Sequence, residues 1–322
     1  MQAAGRSRKP VAIRKRGGGG GIGQNVRALF LPRLEAKNLR RSCVRFALLA
    51  FGAVAVLVGA RSMSRRFVFP ANQVGAAVPP AGIVRWNVRA RDGVVARALQ
   101  IPGASDAPVF VYFHNNRQTM VDGLGLARAL ASRGFGVVLP EYRGYGLSRD
   151  GDPSEAGLYS DAEAVLDHLK ARKIGKERIV LCGMSLGTGV AAEMARRGRG
   201  AALLLIAPYT SLPDVVADAV PLLPAGLLMP DKFDTLGKSR DIHVPTVIVH
   251  GDADEIVPFW MGRALARTIS GARLLRVRGG HHGDLFTRER DGILDAMTAL
   301  ATGLVGSRPK LRDGGPPAGR TG

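Results

Sequence analysis

The chain has 322 residues, 46% of them hydrophobic, and a formal net charge of +20. That length suits one large domain with tails and excludes a small module that depends on staples. Residues 1–66 carry 15 Lys and Arg against the single acid Glu35, and residues 303–322 carry four against Asp313, while residues 67–302 carry 27 against 24 acids. The basicity belongs to the ends. No nucleic-acid recognition motif accompanies it, so a nucleic-acid partner is not expected, and two cysteines, Cys43 and Cys182, do not make a disulfide framework.

Residues 1–45 are rich in Arg and Lys with a glycine run at 17–21. Such a composition cannot bury a core and is expected to be disordered. Residues 46–60 then run without a charge. A spanning helix wants about 20 apolar residues, so Arg45 and Arg61 would have to snorkel from its ends. Three readings compete for this segment: a signal anchor, a secretory h-region cleaved after Val58-Gly59-Ala60, or the by-product of an upstream start codon. The positive-inside rule holds residues 1–45 in the cytoplasm and exports the body; Arg61, Arg65 and Arg66 on the far side oppose it. The reading taken is a membrane-anchored, exported catalytic domain. Translation from Met63 would instead leave a cytoplasmic protein. Residues 61–82 are assigned to a linker, rich in Pro, Ala and Gly from 67 onward.

A domain is expected over 83–302. Two β-type runs, 83–90 and 94–101, flank Asp92-Gly93, a hairpin signal. Residues 108–113 form a buried strand that leads into His114-Asn115-Asn116-Arg117 and a helix over about 121–132. Residues 136–140 are the next strand, and 155–173 a helix with apolar residues at helical spacing. A strand ending near Leu181 precedes Gly183-Met184-Ser185-Leu186-Gly187, after which 190–197 is helical. Residues 202–207, 246–250 and 273–277 are further strands. Strands alternating with helices predict an α/β fold with a mostly parallel sheet, made mixed by the opening hairpin. Residues 208–245 break the alternation with an apolar, Pro-interrupted insert. It is expected to form a small cap whose Leu and Met residues either line an acyl pocket or pack on the body. Residues 303–322 read as a disordered tail.

Ser185 carries the strongest chemical signal. A Ser with Gly two residues away on either side, between strand and helix, is a nucleophile elbow. Its hydroxyl must stand clear of a very tight turn, where side chains at 183 and 187 would collide with backbone. The following helix N-terminus offers N–H groups to a developing oxyanion. A serine hydroxyl needs a base, and the base needs an orienting acid. Asp252, Asp254 and Glu255 follow the strand ending at His250; His281 and His282 follow the strand ending at Val277. Spacing alone chooses neither the acid nor the base, although Asp252 or Asp254 has the better reach. Only one of two adjacent histidines can face Ser185. A paired-histidine metal site lacks partners at ligand spacing, so no metal or cofactor is expected. His168 and His243 receive no role, and His114 is assigned a structural one. The oxyanion donors are expected to be the backbone N–H groups of Leu186 and Asn116.

With these residues in hand, the chain resembles the α/β-hydrolase superfamily over roughly 109–300. It is most similar to the membrane-anchored branch of serine-aminopeptidase-like hydrolases, monoacyl lipid hydrolases and protein depalmitoylases. Tyr142-Arg-Gly-Tyr-Gly-Leu-Ser148, Pro153 to Tyr159, Asp161 to Leu166, Ala207 to Ser211, Asp231-Lys-Phe-Asp234 and His250-Gly251 carry that likeness. The resemblance implies an α/β-hydrolase fold with an eight-stranded, mostly parallel sheet and helices on both faces. The family's His-Gly-x-x-Asp pattern implies Asp254 as the acid, and its Gly-x-x-His pattern on Gly279 implies His282 as the base. Two positions depart from the family. His114-Asn115-Asn116-Arg117 stands where His-Gly-Asn-Ala is usual, and Gly283 stands where Asn is usual. Asn tolerates positive φ, so the loop is expected to keep its path. The implied activity is a serine hydrolase cleaving a carboxylic ester or thioester, on an acyl lipid or acylated substrate. The alternatives are a serine peptidase on small peptides and a catalytically silent, membrane-tethered interaction protein. Oligomeric state is not encoded in any motif.

Overall fold

A computed structural model describes residues 27–75 and 77–306, with side chains at Cys43 and from Arg45 to Leu304. Of the termini expected to be disordered, 1–45 and 303–322, residues 1–26 and 307–322 lie outside the described residues, while 303–306 are helical, which corrects the start of the tail. By its contacts the chain divides into residues 1–58 and residues 59–322.

One long helix, α1 (Arg27–Val68), opens the described chain. Composition predicts disorder through residue 45, but 27–45 are helical. The run without Gly or Pro between Arg33 and Phe51 permits this. The segment Arg45–Val68 is long and apolar enough to cross a membrane, with a mean hydropathy of 1.9, and none of its most apolar stretch is buried. The linker expected over 61–82 is likewise corrected. Residues 61–68 finish α1, and Val68, Phe69 and Ala71 are buried in the core. Phe69 packs edge-on against Phe233, with ring centroids 6.2 Å apart. Burial of that kind is worth about 1.5–3 kcal/mol per large side chain and outweighs the local Pro and Gly content.

The sheet has eight strands. β1 (Val84–Arg89) and β2 (Val95–Ile101) form the expected hairpin, with Gly93 at φ +87° in its turn. Then follow β3 (Val109–Phe113), α2 (Leu124–Ala131), β4 (Gly136–Glu141), α3 (Glu155–Ala171), β5 (Ile179–Met184), α4 (Leu186–Arg196) and β6 (Ala202–Ile206). The insert holds α5 (Leu212–Ala219), α6 (Ala225–Leu228) and α7 (Thr235–Lys238). After it come β7 (Thr246–Gly251), α8 (Phe259–Thr268), β8 (Arg273–Val277), α9 (Leu285–Arg288) and α10 (Arg290–Gly306). The order across the sheet is β1-β2-β4-β3-β5-β6-β7-β8, antiparallel at the first two pairings and parallel elsewhere.

Every residue of β3, β4, β5, β6 and β7 is buried, as strands covered on both faces require. The two apolar layers show in the sequence alternation. Val109, Val111 and Phe113 face one layer, with α3, α4 and α8; Phe110 and Tyr112 face the other, with α2 and α10. A buried ion pair ties α3 and the hairpin to the turn after β4. Arg143 forks onto Asp161 of α3 at 2.7 and 3.0 Å and reaches Asp92 in the hairpin at 2.6 Å.

The insert divides its apolar residues. Ala225 and Met229 pack on the body, whereas Leu222, Leu223 and Leu227 stand exposed.

Candidate active site

Ser185 sits between β5 and α4 at φ +50°, ψ −117°, a conformation costing about 1–3 kcal/mol for a residue with a Cβ. The surroundings hold it there. Its N–H donates to Ile206 O at 2.9 Å, and its carbonyl accepts the Thr188 hydroxyl at 2.6 Å and the Thr188 N–H at 2.9 Å. A Cβ on Gly183 would lie 2.2 Å from Gly187 O, and one on Gly187 would lie 2.1 Å from Phe113 O. Both glycines are therefore demanded by close backbone approach rather than by positive φ.

The other candidates come from the loops after β7 and β8. His282 Nδ1 lies 2.8 Å from Asp254 Oδ2, and His282 Nε2 lies 2.9 Å from Ser185 Oγ. A carboxylate can only accept, so Nδ1 carries the proton and Nε2 is left to accept the serine hydroxyl. The Asp254 side chain is fully buried. Burial pushes its carboxyl up, but hydrogen bonds from His282 and the Val257 N–H, with the field of His282, hold it well below the usual carboxylate range. Its Oδ1 accepts the N–H groups of Ile256 at 3.0 Å and Val257 at 2.8 Å. Sequence reasoning gave His250 no role of its own. Its buried Nε2 donates to Val257 O at 2.9 Å and stands 3.5 Å from Asp254 Oδ2.

The remaining candidates in these loops have other partners. Asp252 accepts from Arg276 Nε and from the Gly279 N–H, both at 2.6 Å, and so pins the two loops together. Glu255 pairs with His281 Nδ1 at 3.0 Å on the surface. The two adjacent histidines thus face different partners. Two backbone bonds lace the loops: Asp252 N to Val277 O and Ala253 N to Gly280 O, each 3.1 Å. This closeness needs Gly251, whose Cβ would lie 2.1 Å from Gly280 O.

Leu186 is the first residue of α4, so its N–H has no carbonyl one turn back to bond. Its own carbonyl accepts the Tyr209 hydroxyl at 3.1 Å, which fixes the helix start. In the loop after β3, Asn115 and Asn116 both keep negative φ, so the tolerance of Asn for positive φ is not used. The Asn115 side chain instead accepts the Arg117 N–H at 2.9 Å and makes the turn locally. The Asn116 side chain donates to Val68 O at 3.1 Å, tying this loop to the end of α1. No local signal in the sequence marks that contact. His114 is buried, with Nδ1 2.7 Å from Asn115 O and Nε2 3.0 Å from Glu141 Oε1, beneath the loop rather than facing Ser185.

A hydroxyl, an imidazole and a buried carboxylate in series, on loops at the carboxyl ends of a mixed eight-stranded sheet, define the architecture of an α/β hydrolase. The comparisons agree. The protein-family model described as serine aminopeptidase, S33, matches residues 108–233. That span includes Ser185 and ends before Asp254 and His282. Uncharacterized protein Rv2307c of Mycobacterium tuberculosis is 33% identical over 266 residues, 80% of this chain and 93% of that protein. Lysophosphatidylserine lipase ABHD12 of Rattus norvegicus is 32% identical over 54% of this chain and 48% of its own length, so the chain spans about half of that relative. The fold is shared with an esterase of Pyrococcus furiosus, at a TM-score of 0.58 and 14% identity over 69% of this chain and 91% of that one. The chain belongs to one family with protein Rv2307c and has the α/β-hydrolase fold, and its residues 108–233 are similar to the serine aminopeptidase S33 model.

Proposed function

We propose that the protein is a serine hydrolase of esterase type that cleaves a carboxylic ester or thioester of an acyl lipid or acylated substrate. The Ser185–His282–Asp254 series, with Ser185 on a strained elbow, is the observation that carries the reading. Ser185 Oγ attacks the acyl carbonyl while His282 Nε2 takes its proton. The backbone N–H groups of Leu186 and Asn116 receive the oxyanion. His282 returns the proton to the leaving oxygen or sulfur, and the acyl group stays on Ser185. Water then attacks the acyl-enzyme, with His282 as base, and releases the acid and free Ser185. Asp254 holds the Nδ1–H tautomer and stabilises the imidazolium. The lipase named among the relatives supports a lipid ester as substrate.

The apolar helix supports attachment to a membrane, with residues 46–60 as its anchor and a lipid-borne substrate close by. The test of the catalytic reading is fluorophosphonate labelling of the purified chain in detergent beside Ser185→Ala. Labelling of the parent alone is expected. A folded parent that does not label would sink the reading and turn attention to a binding role.

A further inference from the structure

Four exposed apolar side chains of the body lie on linked segments. Leu222 is 98% exposed, Leu227 58%, Ile256 55% and Trp260 46%. Hydrogen bonds and short stretches of chain link the segments that carry them. Ile256 follows Asp254 and donates its N–H to that carboxylate. Trp260 stands four residues further on, and its indole N–H donates to Asp218 Oδ1 of α5 at 3.1 Å. The chain then turns at Val220, whose carbonyl accepts the Leu223 N–H at 3.0 Å, and Leu222 tips that turn. Leu227 closes the series. Its carbonyl accepts from Arg61 at 3.4 Å, and the next carbonyl, Leu228 O, accepts the Ser64 hydroxyl at 3.2 Å. Both of those donors lie on the last turns of α1. The linked segments therefore run from the loop of the candidate acid to the foot of the apolar helix.

Clusters of this kind on soluble proteins mark a covered surface. The uncharged run of α1 ends at Ala60, and Arg61, the first residue to touch the insert, follows directly. A basic residue at that position settles at headgroup level. Whatever Arg61 contacts shares that level. A half-exposed indole whose N–H already has a partner is suited to the same zone.

We propose that the Leu222–Leu227 turn, Trp260 and Ile256 form a seat on the bilayer, dipping into the headgroup and acyl boundary. The loop that carries Asp254 would then lie at the lipid surface. The proposal rests on the membrane attachment proposed above and not on the catalytic reading.

The chain's own fluorescence provides the test. It has two tryptophans, and Trp86 is buried. The full chain is reconstituted into phosphatidylcholine vesicles with or without lipid brominated in the upper acyl chain. Emission is expected to fall at least about twofold on bromination, and Trp260→Phe should abolish the difference. Leu222→Asp with Leu227→Asp should still float with the vesicles but lose most of the quenching. Full emission from a chain that floats would overturn the proposal, as would a stable dimer that shields Trp260 from lipid. A chain that does not float would overturn it together with the anchor. Fluorophosphonate labelling is read separately, so failure of the catalytic reading leaves this result standing.

Discussion

Replacing Gly251 by Ala tests whether the close approach of two loops sets the site. The new Cβ would lie 2.1 Å from Gly280 O and 2.5 Å from its carbonyl carbon, with the Leu285 side chain at 3.0 Å. The first two neighbours are backbone and cannot rotate away. Cβ atoms essentially never come within 3.0 Å of such atoms, so the loops must part by about 1 Å. Gly280 is two residues before His282, and Gly251 is three before Asp254. The shift therefore falls on the His282–Asp254 and His282–Ser185 contacts, now 2.8 and 2.9 Å. A displacement of that size costs on the order of 10²-fold in rate, and the overpacking costs about 1–3 kcal/mol of stability. The assay is the second-order rate of fluorophosphonate labelling, read beside thermal unfolding. Gly283→Ala is the control, because its added Cβ meets nothing within 4 Å, and parental behaviour is expected there. If Gly251→Ala labels at the parental rate, the crossing of the two loops does not position His282 and the reasoning fails.

Asp254→Asn should lower kcat by roughly 10³–10⁴-fold while the fold survives, since a neutral amide neither stabilises the imidazolium nor enforces its tautomer. The Asp254 carboxyl is held well below the usual range, so the pH profile of labelling should show no step from this group down to about pH 4. A parental rate for Asp254→Asn would remove the residue from the mechanism. Glu193, a buried side chain of α4, should matter to acid stability. Burial pushes its carboxyl up, but Arg196, Arg197 and Lys238 bring it down to about 2 from 4.5. A depressed value stabilises the fold above the unfolded pKa, and that stability is lost as pH falls from about 4.5 to about 2. Glu193→Gln is expected to cost about 2–3 kcal/mol at pH 7, with the difference from the parent shrinking towards pH 2. A constant difference across that window, measured by urea unfolding, would refute the assignment.

Much of the site was legible because its parts are local. The glycines at 183 and 187 report contacts made within one turn, and strand-then-loop patterns place acid and base candidates at the carboxyl ends of β7 and β8. Alternation of buried strands and amphipathic helices likewise follows from periods of 2 and 3.6 residues. Residue type alone could not separate Asp252, Asp254 and Glu255, or His281 from His282. Their roles depend on which neighbour each side chain meets: Arg276 for Asp252, His281 for Glu255, and His282 with His250 for Asp254. Those neighbours lie up to 28 residues away, and no local pattern encodes a contact across that separation.

The sequence by itself determined the α/β alternation, the elbow and the pair of loops that face it, because short-range sterics and burial periodicity leave few alternatives. Only the tertiary structure decided that the stretch read as a linker is docked. Its Pro and Gly content describes an unattached chain, whereas burial of Val68 and Phe69 and the bond from Asn116 to Val68 O depend on partners 48 or more residues on. It also decided which apolar residues of the insert face outward. Ala225 and Met229 differ from Leu222 and Leu227 in what packs over them, not in hydrophobicity, and burial is a property of the neighbours.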